Sequence, residues 1–292
     1  MDRIKLFMLT VWILFAAPSL AQTHSDEQVT TVKYNISAQF VDPKQAYYIS
    51  MLELALSKSS DEFGPYKMQA VVLEMPQGRT LKMVQENALD VVWTMTSVER
   101  ETTLQAVYIP LLKGLMGYRI GIIRKGEQYR FDQVNNLNDF RQQTFGQGTD
   151  WPDVQILERN GFKTVTGSAM NLLTMLAKQR FDYFPRAIHE PWDELLRRED
   201  IEIEQQLLLK YPAPIYFFVN KSNSVLAKRI EHGLHLAIED GSFERLFAQH
   251  PITTSVLEKA NIDQRQVFEI ANPLLSPKTV ELLSQSHLWY HH

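Results

Sequence analysis

Two hydrophobic periods alternate along the chain: short β-rich apolar runs, and stretches with an apolar position every three or four residues. Residues 31–40 read as a strand, 45–57 as a helix with Ile49, Leu52, Ala55 and Leu56 on one side, and 68–73 as a strand. A helix over 79–87 and a strand over 88–93 follow. Strands separated by helices of this length imply an α/β fold with a largely parallel sheet and helices on both faces. A long extended run, 114–123, is punctuated by Gly114, Gly117 and Gly121, and it is long enough to leave one lobe and enter another. A second α/β set comes next, with strands at 144–145, 163–165, 181–184 and 207–209 and helices at 154–160, 169–178 (capped by Ser168) and 191–198. The chain then turns back at Tyr211-Pro212-Ala213-Pro214. Ile215 to Val219 form an apolar run bounded by Pro214 and Asn220, as a strand covered on both faces does. Leu226, Ile230, Leu234 and Ala237 recur at helical spacing, and Gly241 supplies the left-handed residue that ends a helix.

Two crossings make the middle lobe continuous and the outer lobe discontinuous: 22–116 with 213–292, and 117–212. Such an arrangement leaves a cleft between lobes, where strand carboxyl ends and helix amino ends collect. Residues 250–292 are expected to pack against the outer lobe.

Composition narrows the compartment. Residues 1–21 carry Arg3 and Lys5 ahead of an apolar run and end in Ser19-Leu20-Ala21, the pattern of a cleaved secretory signal. With Asp2, Arg3 and Lys5 removed, the net charge is about −5. No basic face suggests nucleic acid. The chain has no cysteine, which excludes disulfides, thiolate metal sites, a cysteine nucleophile and a lipid-modified cysteine anchor. A free periplasmic protein, not a lipoprotein, is the expectation.

Several segments resemble type II periplasmic solute-binding proteins of the bacterial extracellular family 3 kind, the amino-acid ABC transporter type. Asn87-Ala88-Leu89-Asp90 is similar to the family's G-x-x-D strand entry with Asn for Gly, and Thr94-Met95-Thr96-Ser97-Val98-Glu99-Arg100 to its T-x-T-x-x-R loop with one extra residue. Val107-Tyr108-Ile109-Pro110 resembles F-S-x-P-Y, and Phe145-Gly146-Gln147-Gly148-Thr149 resembles V-G-V-x-x-G-T. Leu176 to Asp182 looks like L-x-x-G-R-x-D with Gln for Gly, and the final strand, helix and Gly241-Ser242-Phe243 turn match the family's last crossover. The resemblance spans roughly 29–249 and implies a two-lobed α/β fold, with two mixed sheets flanked by helices and a double-crossing hinge.

It also implies site residues. Arg100 stands where the family's arginine grips a ligand carboxylate through two parallel N–H donors, with Thr96 and Ser97 as added hydroxyls. The alternative is an Arg100 that faces solvent or pairs with Glu99 or Glu101. The family's ammonium-binding aspartate falls near Ala187, and alanine cannot do that work. Either Glu190 replaces it from one turn later, or Arg186 clamps a second acidic group; the latter favours an organic anion. From the residues themselves, Gly146 to Asp153 lead into a helix, where Gly148 and Thr149 let backbone N–H groups approach an anion or simply make a strand-to-helix turn. Trp151 is a lid on the ligand or a packing residue, and Tyr47, Trp93 and Tyr108 are cleft aromatics or core. Scattered histidines give no metal site, and no cofactor is expected.

The leading reading is a monomeric binding protein, not an enzyme, that closes on a small polar or anionic solute, an amino acid or organic acid. It would present the closed form to an inner-membrane ABC permease or to a sensor kinase or cyclase. The alternatives are a dehydratase-like enzyme on the same scaffold, with His189 or Glu190 as acid or base, and an exported interaction module with a vestigial cleft.

Overall fold

The computed structural model of the protein describes residues 29–37, 43–196, 198–254 and 256–290. The signal expected at 1–21 lies outside the described residues, as do positions 38–40 of the first expected strand. The outer lobe begins with β1 (Thr30–Ile36), β2 (Tyr66–Val72), β3 (Val91–Met95) and β4 (Gln105–Val107). The second lobe holds β5 (Tyr118–Arg124), β6 (Thr144–Gly148), β7 (Lys163–Gly167), β8 (Phe184–Ala187), β9 (Ile201–Ile203) and β10 (Leu207–Lys210). The chain ends with β11 (Ile215–Val219) and β12 (Gln266–Glu269).

In the outer sheet the order is β2-β1-β3-β11-β4, with β1 parallel to both neighbours and the returning β11 antiparallel to β3 and β4. The second sheet runs β12-β10-β5-β8, and β9 also pairs with β5. The expected parallel character fails here, because β5 enters from the hinge against the direction of β8, β9 and β10. Among the described residues of this lobe, β6 with β7 and β10 with β12 pair parallel, along with a single parallel bridge from Phe145 to Tyr183. The fold is mixed α/β, two mixed sheets flanked by helices.

Close backbone approach fixes the two hinge strands side by side. Tyr211 N–H donates to the Gly117 carbonyl at 3.1 Å, and a Cβ on Gly117 would overlap the Tyr211 carbonyl oxygen. Elsewhere Asn87 at φ 59° and Gln179 at φ 57°, the two positions where the resemblance expects glycine, adopt the left-handed conformation that glycine favours. The helix Ser224–Glu239 buries Leu226, Ile230, Leu234 and Ala237 against the helix Pro43–Lys58, and Gly241 ends it at φ 74°.

The C-terminal stretch corrects the expectation that all of it packs on the outer lobe. Ile252, Val256, Ala260 and Ile262 do join the outer core. Then β12 adds an edge strand to the second lobe, and Phe268 packs 5.4 Å from Phe140 in that lobe's aromatic core. At Ala271 to Leu274 the chain passes between lobes. Asn160 Nδ2 donates to the Ala271 carbonyl (2.8 Å), Asn272 Nδ2 to the Pro212 carbonyl (2.7 Å), and Val98 N–H to the Leu274 carbonyl (2.8 Å). The helix Pro277–Leu282 returns to the outer lobe, where the Thr279 hydroxyl donates to Glu101 at 3.0 Å.

Candidate ligand-binding cleft

Burying arginine in a sheet obliges the fold to supply its counter-charge. At the cleft the buried arginines are Arg119 on β5 and Arg186 on β8, neighbours in a pairing that sets Ile120 opposite Arg186 and Arg119 opposite Ala187. Arg119 is only 1% exposed. Its Nη2 lies 2.7 Å from Asp153 Oδ1, and its Nη1 lies 3.7 Å from Glu190 Oε2. Tyr211 donates its hydroxyl to the same Asp153 oxygen and sets its ring 5.4 Å from the guanidinium. Arg186 Nη2 meets Glu190 Oε1 at 3.1 Å and Glu194 Oε1 at 2.5 Å, and its guanidinium lies over Trp151 (5.1 Å) and Phe184 (5.0 Å).

Glu190 is held by its own turn, accepting the Ala187 N–H at 2.8 Å. The carboxylate missing at Ala187 is thus supplied three residues later, but it is committed to two arginines. Burial alone would raise the Glu190 carboxyl, yet Arg186, Lys44, His189 and Arg119 hold it well below the usual range. Burial would lower Arg186, and Glu190 and Glu194 overcome this to raise it. His189 goes the other way: burial, with Lys44 and the two arginines, lowers it to about 3 against the pull of Glu190, so the ring is neutral.

The outer lobe covers this platform with a different surface. Lys44, Gln45 and Tyr48 come from the helix Pro43–Lys58, Gln77 from the helix Gln77–Gln85, and Trp93, Thr94 and Met95 from β3. Trp93 and Tyr48 stack with centroids 5.5 Å apart at 20°. Between the two faces lies a cavity of about 220 Å³, roughly the volume of seven waters at ~30 Å³ each. At its edges the lobes touch: Lys44 Nζ lies 3.8 Å from Glu190, and Gly78 N–H donates to Asp150 Oδ2 at 2.8 Å.

Of the residues proposed from sequence, Arg186, Glu190, Trp151 and Trp93 line this cavity together. Arg100 does not border it. Its Nη1 donates to Thr94 Oγ1 (2.6 Å) and the Met95 carbonyl (2.7 Å), its Nη2 to Gln77 Oε1 (2.6 Å), and burial lowers its pKa to about 10. The guanidinium therefore braces the floor beneath Thr94 and Gln77. It borders a second cavity of about 890 Å³, which also takes in Ser97 and Thr149 and shares Trp151 and Pro152 with the first. Ser97 caps its helix by accepting the Arg100 N–H, and Thr96 donates to Glu101 at 2.5 Å, so neither hydroxyl reaches the smaller cavity. Gly148 packs under the Trp151 indole, where a Cβ would overlap the ring. Tyr47 is a correction: it is fully buried in the outer core and donates to the Leu111 carbonyl at 2.6 Å, and Tyr48 faces the cavity instead. Tyr108 binds Glu101 at 2.9 Å beneath Lys278, away from the cleft.

Arg119, Asp153 and Lys44 escaped the sequence reading. The available signal was Arg119 itself, a charge inside the apolar run Tyr118 to Ile123. Among the described residues, no group of three or more His, Cys, Asp or Glu is placed to hold a metal ion.

No family model matches the chain, and no curated protein does. Solved structures do. The arginine-specific periplasmic binding protein of Salmonella typhimurium is 14% identical over 76% of this chain and 99% of that one, with a TM-score of 0.56. A probable amino-acid ABC transporter extracellular-binding protein of Bacillus subtilis is 16% identical over 78% and 100%, TM-score 0.56. A histidine kinase sensor domain with similarity to periplasmic binding proteins is 14% identical over 77% and 96%, TM-score 0.55. At these identities the likeness is one of fold, and the chain has the two-lobed fold of periplasmic binding proteins.

Proposed function

We propose that a chain with this fold and cleft is an exported solute-binding protein, which closes its lobes on one small solute and presents the closed form to an importer or a sensor. One observation carries the reading. The interlobe cavity is lined from both lobes by ion pairs and aromatic rings, and two of its lining residues, Arg119 and His189, each keep a nitrogen, Nε and Nδ1, buried without a hydrogen-bond partner. A concave space between two lobes, lined by a few fixed polar groups and aromatic rings, suits a small solute, and buried polar atoms left unsatisfied beside it are a common mark of such sites. Contacts from both lobes to one solute favour the closed population. The neighbours in fold include both importer components and a sensor domain, which supports either partner. No helix among the described residues is long and apolar enough to cross a membrane. Export rests on the signal-like residues 1–21.

A ligand that binds only the folded state raises the melting temperature by mass action. Thermal denaturation of the purified protein across amino acids, carboxylic acids, nucleobases, amides and polyamines is expected to show an upward shift with one chemical class. A flat response across all classes would remove the solute-binding reading.

A further inference from the structure

We infer that the cavity takes an uncharged polar solute with a flat or apolar face, rather than an organic anion or an amino acid; this rests on the solute-binding reading above. Charge matching carries the inference. The cations of the wall are Lys44, Arg119 and Arg186, and the carboxylates of Asp153, Glu190 and Glu194 stand within 4.0 Å of them. Every cation faces a carboxylate and every carboxylate faces a cation. A ligand carboxylate therefore either displaces a protein carboxylate from an arginine or adds a negative charge to a balanced site, and both leave a buried charge uncompensated, which is strongly unfavourable. A ligand ammonium meets the same obstacle from the other side. Arg100 offers no alternative, since its guanidinium already donates to Thr94, Met95 and Gln77.

What remains open is neutral hydrogen bonding. Arg119 and His189 border the cavity on side chains only 1% and 6% exposed, and each keeps a nitrogen, Nε and Nδ1, that has no partner and that a solute reaches only when the side chain turns toward it. The first requires an acceptor such as a carbonyl oxygen, and the second takes one donor or acceptor. Among the other lining residues, Trp93 with Tyr48 from the outer lobe and Trp151 from the second are aromatic and suit a planar or apolar body, beside Gln45, Gln77 and Thr94.

Isothermal calorimetry on the whole protein tests the inference with pairs that differ chiefly in charge: nicotinamide against nicotinate, uracil against orotate, with glutamine as the amino-acid arm. At least one uncharged member is expected to bind ten times tighter or more than its carboxylate partner and than glutamine. A carboxylate or glutamine that binds as tightly as the uncharged probes overturns the inference while solute binding stands. Two variants test the charge argument separately. Glu194→Gln removes a partly exposed carboxylate and Glu190→Gln a buried one; each leaves Arg186 with one carboxylate in place of two and is expected to bind nicotinate or orotate at least tenfold tighter than the parent protein. Lack of that gain in both variants, with circular dichroism unchanged, overturns the charge-matching account. Silence from every probe on every variant overturns this inference together with the reading beneath it, as would the flat thermal panel.

Discussion

The two faces of the cleft are built on opposite plans. The second lobe presents Arg119, Arg186, Asp153 and Glu190 locked in mutual ion pairs, whereas the outer lobe contributes one charge to the cavity, Lys44, among aromatic, amide, hydroxyl and thioether groups. Groups fixed by one another before the ligand arrives do not have to be ordered when it binds. The second face is thus a preorganised platform, and the outer face is a cover that meets it through Lys44 to Glu190 and Glu194, Gly78 to Asp150, and the Met95 sulfur against Arg119. The contrast predicts that substitutions in the platform act on folding, and substitutions in the cover act on closure.

Asp153 is the most direct way to break the platform. It accepts from Tyr211 and pairs with Arg119, both nearly inaccessible to solvent. Replacing one partner of a buried pair leaves the other charge uncompensated, so Asp153→Ala is predicted to lower unfolding free energy by about 3–5 kcal/mol. Urea denaturation reads this directly, and a loss below ~1 kcal/mol would mean that Arg119 finds a substitute partner.

Acid should reach the same face next. His189 has a folded pKa lowered to about 3, against about 6.5 when unfolded, so between these values the unfolded chain binds more protons and stability falls as pH drops. Glu190 adds to the loss at lower pH: its folded pKa is depressed, so its contribution is present above the unfolded value near 4.3 and disappears as pH falls through the folded one. The predicted slope is at most about 1.4 kcal/mol per pH unit from His189 between pH ~6.5 and ~4.5. His189→Gln should flatten that interval and leave the fall below it. An unchanged profile in the variant would mean that His189 titrates normally and that its neighbourhood is wetter than its burial implies.

How far the sequence could be read differs between the same two faces. Apolar periodicity located most of the longer strands and helices of both lobes, but not β4, β9 and β12, and it set β8 three residues early; the close approach at Gly117 and the stop at Gly241 were visible as glycines in an extended run and at a helix end. Side-chain direction was not visible. Tyr47 and Tyr48 are both aromatic and differ by one helical position, about 100° around the axis, which sends one to the core and the other to the cavity. Arg100 occupies a recognisable loop, but whether its guanidinium faces a ligand or folds back onto Thr94 and Gln77 is decided by tertiary partners 6 and 23 positions away. The platform was hidden for a related reason, because its ion pairs join β5, β8 and the Asp153–Arg159 helix, which only the folded sheet brings together. The crossing of residues 271–274 between lobes escaped too, since four apolar or amide residues carry no period.

Lys44 gives the smallest predicted effect on folding and the sharpest test of the contrast. It is the one charge the outer lobe places in the cavity wall, its ammonium lies 3.8 Å and 4.0 Å from Glu190 and Glu194, and its side chain is 19% exposed. Those distances exceed ordinary hydrogen-bond length, and part of the charge stays hydrated, so Lys44→Met is predicted to change unfolding free energy by less than about 1 kcal/mol. Glu190 and Glu194 keep Arg186, and the Gly78 to Asp150 bond still joins the lobes. Removing an interlobe attraction while sparing each lobe should instead raise the open population of the ligand-free protein, seen as a larger radius of gyration in solution scattering. A Lys44→Met protein as unstable as Asp153→Ala would show that the cover contributes to folding as the platform does, and the division between the two faces would have to be abandoned.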